Sequence, residues 1–85
     1  MSKKDKLIAK LKSLPPNFTF DEAETLLSLC SYQRYDKGKT SGSRVKFYST
    51  EKDSHIWLHK PHPRKELLEY QLKQILHTLE KEGLI

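Results

Sequence analysis

Three imidazoles, His55, His59 and His62, fall within eight residues of one another, with Trp57 between the first two. Imidazole exchanges protons near neutral pH, so this grouping suits general acid–base work. Breaking an RNA strand is one such reaction, since a proton must leave a 2′-hydroxyl and another must reach the departing 5′-oxygen. A metal site would need a further ligand and a fixed geometry that the sequence does not supply. No metal or other cofactor is expected.

Upstream, Gly38-Lys39-Thr40 has the end of a phosphate-loop pattern, but the glycine required five positions earlier is Gln33, and a strand rather than a helix is expected after it. Nucleotide hydrolysis is therefore set aside. Ser41-Gly42-Ser43, flanked by Lys37, Lys39 and Arg44, can still hold a phosphate through backbone N–H groups and flexible cations. It serves equally as a plain hairpin connection, and both readings stay open.

The charge around these groups is uneven. Residues 34–65 carry nine lysines and arginines against three carboxylates, and residues 1–13 carry five lysines against Asp5. Residues 14–33 are acidic, and so are the last twenty, which leaves the chain at +5. A basic block that also holds most of the histidines and aromatics is expected where a surface meets phosphates and bases. A solvated lysine-rich face is the plainer alternative.

The elements that must carry these residues follow from periodicity. Leu7, Ile8 and Leu11 recur at helical spacing over residues 3–13, and Pro15 and Pro16 end that helix. Thr19 caps a second helix, with Glu22 completing a capping box, Phe18 stapling against Ala23, and Phe20, Ala23, Leu26, Leu27 and Cys30 as its apolar stripe. Residues 32–36, 44–49 and 54–60 read as three short antiparallel strands. Val45, Phe47, Ile56 and Leu58 share one sheet face, and Arg44, Lys46, Tyr48, His55, Trp57 and His59 share the other. Pro61 and Pro63 close the third strand. Pro63 suits the first position of a last helix, whose stripe is Leu68, Leu72, Ile75, Leu76 and Leu79 and which Gly83 stops. On this reading His62 lies near a helix N-terminus, where the dipole favours neutral imidazole.

The expectation is an α+β domain, a three-stranded antiparallel sheet with helices on one face and the other face open. At 85 residues it buries only roughly 60 to 65% of its unfolded surface, which leaves no room for a deep pocket. The single cysteine, Cys30, excludes an internal disulfide and fits a reducing cytoplasm. The basic start has no continuous apolar segment, so neither standard export nor membrane spanning is expected.

Four stretches, FTFDEAETLLSLCSY, KTSGSRVKFY, IWLHKPHP and ELLEYQLKQILHTLEKEGLI, resemble the HicA-type toxins of bacterial and archaeal toxin–antitoxin pairs. The likeness spans residues 18–85 as a single domain, with residues 1–17 as a basic helix and proline-containing connector before it. It implies an α-β-β-β-α fold like that of double-stranded-RNA-binding domains. It also implies an endoribonuclease that cleaves messenger RNA, with a HicB-type antitoxin covering its site. The family signature is Gly-Ser-His at the start of the second strand, with the histidine catalytic. Gly42 and Ser43 match it, and Arg44 stands where the histidine should be.

Arginine stays protonated and cannot act as a general base, but it binds phosphate and stabilises developing negative charge. Three readings result. In the first, Arg44 supports the scissile phosphate while His59 exchanges the proton, with His55 and His62 as alternatives, and Lys37, Lys39, Ser43, Lys46, Tyr48, Trp57, Lys60 and His62 contact RNA. In the second, the same face binds RNA and an antitoxin-like partner without cutting. In the third, it is a protein-interaction surface alone.

Overall fold

The computed structural model describes residues 2–35, 44–60 and 64–85, and of Arg44 the backbone only. The element order is α1 (Lys3–Lys12), α2 (Phe20–Leu29), β1 (Gln33–Tyr35), β2 (Arg44–Ser49), β3 (Ser54–His59) and α3 (Glu69–Lys81). The strands form one antiparallel sheet in the order β1-β2-β3. The three helices and this sheet give the α+β architecture of a double-stranded-RNA-binding-like domain.

Local chemistry fixes the helix starts. Thr19 and Glu22 form the reciprocal capping box, Thr19 N–H to Glu22 Oε1 at 2.9 Å and Glu22 N–H to Thr19 Oγ1 at 3.1 Å. The same carboxylate accepts from Lys10 Nζ at 2.7 Å, which ties α1 to α2. Burial acts to raise the Glu22 pKa, but the hydrogen bonds and charge of Lys10 and Thr19 outweigh it and hold it below the ordinary value. At the other end of α2, Ser31 adopts a left-handed φ of 69°. Tyr32 N–H then reaches back to Leu27 O at 2.8 Å, closing a Schellman turn that delivers the chain into β1. Gly83, at φ 72°, closes the same kind of turn after α3 without the cost a side chain adds there.

α2 and α3 pack on one sheet face, and α1 packs against both of those helices. Leu7 and Leu11 of α1, the α2 stripe from Phe20 to Cys30, Val45, Phe47, Ile56 and Leu58 of the sheet, and Leu72, Ile75 and Leu79 of α3 form a single core. Cys30 belongs to it, and burial pushes its thiol pKa up against a smaller opposing pull from Lys4. Tyr32 is also inside, donating its hydroxyl to Ser54 Oγ at 2.9 Å so that no buried polar atom there lacks a partner. Desolvation raises this phenol's pKa more than the Ser54 bond lowers it.

The last helix departs from the sequence expectation. It begins at Glu69, not at Pro63, which lies with Pro61 outside the described residues. The intervening residues are extended and pair with the start of α2: Thr19 bridges Glu66, Phe20 N–H bonds Lys65 O at 3.0 Å, and Leu67 N–H bonds Phe18 O at 2.8 Å. These bonds satisfy backbone groups that a longer helix would have claimed, and they turn Leu67 rather than Leu68 into the core. Leu67 is 1% exposed and Leu68 44%. The helix-dipole argument for His62 therefore falls, because α3 starts seven residues further on.

Candidate nucleic-acid interface

The site is the sheet face without helices. Strict alternation along β3 buries Ser54, Ile56 and Leu58 and exposes His55, Trp57 and His59. The four-residue turn between Ser49 and Ser54 sets the register, with Asp53 at a left-handed φ of 47°. Across the strands Arg44 then pairs with His59, Lys46 with Trp57, and Tyr48 with His55. On the other side of β2, Tyr35 pairs with Lys46 and Gln33 with Tyr48. The open face thus carries two full rows, Tyr35, Lys46 and Trp57, then Gln33, Tyr48 and His55, with His59 at the next step along β3, opposite the backbone of Arg44.

The rings in these rows touch. Tyr35 and Tyr48 meet edge to face with centroids 6.0 Å apart, and His55 meets Trp57 the same way at 6.4 Å. Lys46 Nζ stands 5.5 Å from the Tyr48 ring and 5.6 Å from the Trp57 ring, a cation shared between two π-faces. Tyr48 donates its hydroxyl to Asp53 at 2.8 Å, and that bond, with a smaller desolvation, raises its pKa. Tyr35 and Trp57 remain over one-third exposed, at 39% and 38%.

The far edge of β3 is held from behind by α3. Gln71 Nε2 donates to His59 O at 3.1 Å while its Oε1 accepts from Leu68 N–H at 2.9 Å, and Gln74 Nε2 donates to Trp57 O at 3.1 Å. Two side-chain amides thereby pair the carbonyls of an edge strand and fix the backbone beneath the two residues of greatest chemical interest. Gln71 is 4% exposed, so its amide is part of the interior.

Among the expected site residues, the register brings together Arg44, Lys46, Tyr48, Trp57 and His59. Lys60 is not among them: its ammonium lies 5.9 Å from the Phe20 ring, on the helical side, and Phe20 itself packs on Phe47. Lys37, Lys39, Ser43 and His62 lie outside the described residues, as does Gly42. Sequence reasoning missed Gln33 and Tyr35, whose place follows from alternation once Tyr32 is put inside. It also missed Gln71, a polar residue set among the buried positions of an apolar helix stripe.

Among the described residues no three His, Cys, Asp or Glu side chains gather as metal ligands, and no helix is long and apolar enough to cross a membrane. A shallow cleft of about 220 Å³ between Leu14–Pro16 and Leu67–Glu69 is lined by none of the open-face residues.

Fold and face together define a small basic α+β domain whose free sheet surface offers rings, imidazoles and cations. A family model described as the HicA toxin of bacterial toxin–antitoxin systems matches residues 21–81, and the chain belongs to that family. Membership makes it the toxin of such a pair and implies an antitoxin partner. α1 lies outside the matched residues. Neither a curated protein nor a solved structure matches the chain.

Proposed function

We propose that this toxin is a cytoplasmic endoribonuclease acting on messenger RNA, silenced when a small acidic HicB-type antitoxin covers the open sheet face. The observation that carries the reading is the pairing of Arg44 with His59, beside the aromatic and lysine rows of the same face. His59 takes the proton from a 2′-hydroxyl, the 2′-oxygen bonds to phosphorus, and the bond from phosphorus to the 5′-oxygen breaks. The leaving oxygen regains a proton from that imidazolium or from water, giving a 2′,3′-cyclic phosphate and a 5′-hydroxyl. Arg44 keeps its charge throughout and stabilises the added negative charge on the phosphoryl oxygens. Neither a metal nor an organic cofactor enters this scheme.

Lys46, Tyr48 and Trp57 hold the RNA, with Lys37, Lys39, Ser43 and His62 as further contacts at the margins. Expression in a bacterial host should arrest growth and co-expression of the neighbouring antitoxin should relieve it. Unimpeded growth on expression would count against the proposal.

A second reading rests on Arg44 in place of the signature histidine: the same face binds RNA without cutting it. Arg44→His separates the two. An inert wild type that gains cleavage through this change is a binder, whereas a wild type that already cuts is a nuclease. A surface for protein partners alone would show no RNA binding, and so none of the steep salt dependence that phosphate contacts produce.

A further inference from the structure

We infer that the open face takes single-stranded RNA at one nucleotide for every two residues along β2 and β3, with the Trp57 row and the Tyr48 row each receiving one base beside the phosphate bound at Arg44 and His59. This rests on the proposed reading of the face as RNA-binding, and it specifies the form of RNA and the number of bases read.

The spacing comes from the strands. Successive rows are two residues apart, and a two-residue step along an antiparallel strand is about 6.8 Å. A stacked nucleic-acid strand advances only about 3.4 Å per nucleotide. RNA in register with the rows is therefore drawn out to about twice its stacked rise, and its bases are separated. Separated bases need new partners for their faces, and aromatic side chains supply them without regard to sequence. Trp57 and Tyr35 lie in the first of these rows and Tyr48 in the second.

Lys46 is placed for the link between the two bases. Its ammonium stands almost equidistant from the Tyr48 and Trp57 rings, at 5.5 and 5.6 Å, so it lies between the rows where the connecting phosphate must pass. The charge of the region favours the same ligand, with nine cationic residues against three carboxylates over residues 34–65. A duplex does not suit the face, despite the fold, because an A-form helix keeps its base faces stacked and offers only ribose and phosphate. An antitoxin covering the face competes for the rings but has no reason to match the two-residue period.

The test uses the full chain and 2′-O-methyl oligonucleotides, which cannot be cleaved through the 2′-oxygen. An abasic octamer carrying no base, one, two or three adjacent bases is titrated by fluorescence anisotropy, together with a fully paired duplex. The first and second bases should each tighten binding on the order of tenfold and the third should add nothing, with the duplex weaker than the single strand. Trp57→Ala and, independently, Tyr35→Ala should lower the gain from bases by a larger factor than they lower the affinity of the base-free octamer. Equal binding with and without bases, an equal gain from the third base, or a preference for duplex would overturn the inference while leaving RNA binding intact. Failure of every oligonucleotide to bind would overturn the RNA reading beneath it as well.

Discussion

On the helical face of the sheet, Val45, Phe47, Ile56 and Leu58 are each 4% exposed or less, while Trp57, between two of them on β3, keeps 38% of its surface in water. Both sets alternate along the same strands, so neither strand propensity nor register distinguishes them. Burial explains the first set entirely. It does not explain the second, because a Trp, two Tyr and a Lys in ring contact on a surface without helices contribute little to a core that is already closed beneath them. Residues that stability does not require are the ones whose identity is available for binding and chemistry.

This contrast is sharpest in a pair of truncations. Phe47→Ala should cost about 3–5 kcal/mol, a large part of the roughly 5–10 kcal/mol such a domain possesses, and its urea midpoint should fall to about half that of the wild type. Trp57→Ala should cost less than about 1 kcal/mol in the same assay. Comparable losses at the two positions would mean that the open face is structural after all.

A smaller effect tests the join between the faces. Gln71→Leu keeps the volume but leaves His59 O and Leu68 N–H without their partner, and should cost about 1–3 kcal/mol. If the amide also positions His59, RNA turnover should fall with little change in KM, and Gln71→Glu, which retains an acceptor for Leu68 N–H but no donor for His59 O, should not restore it. Unchanged turnover in Gln71→Leu would confine the amide to stability.

Farther from the open face, Glu22→Gln removes the charge paired with Lys10 and should lower stability by about 0.5 kcal/mol at pH 7. The carboxyl's folded pKa lies below 4.5, so its contribution is complete above that pH and is lost as pH falls through the folded value. Melting curves of variant and wild type should therefore converge in acid. A constant gap down to pH 2 would contradict the ion pair as its source.

Much of this was legible in the residues. Thr19 and Glu22 mark the start of α2 because the capping box is local, and Val45, Phe47, Ile56 and Leu58 mark the buried face because alternation is local too. The pairing of Arg44 with His59 was not, since it depends on how many residues the turn after Ser49 consumes. The start of α3 was misread for the same kind of reason. Pro63 is a good first helical residue in isolation, but the N–H of Phe20 and the carbonyl of Phe18 claim Lys65 and Leu67 for an extended pairing. Gln71 escaped notice because its bond to His59 O reaches a strand that only the tertiary fold brings beside it, and its other bond, from Leu68 N–H, caps a helix whose start was misplaced.

The most direct test of the open face as a ribonuclease site is cleavage of an end-labelled messenger RNA by the purified full chain and by His59→Ala, with folding of both checked by circular dichroism. The wild type should cut and leave 2′,3′-cyclic phosphate and 5′-hydroxyl ends, and His59→Ala should lose at least about a hundredfold in rate while still binding the RNA. Intact RNA with the folded wild type, or full activity in His59→Ala, would contradict the account.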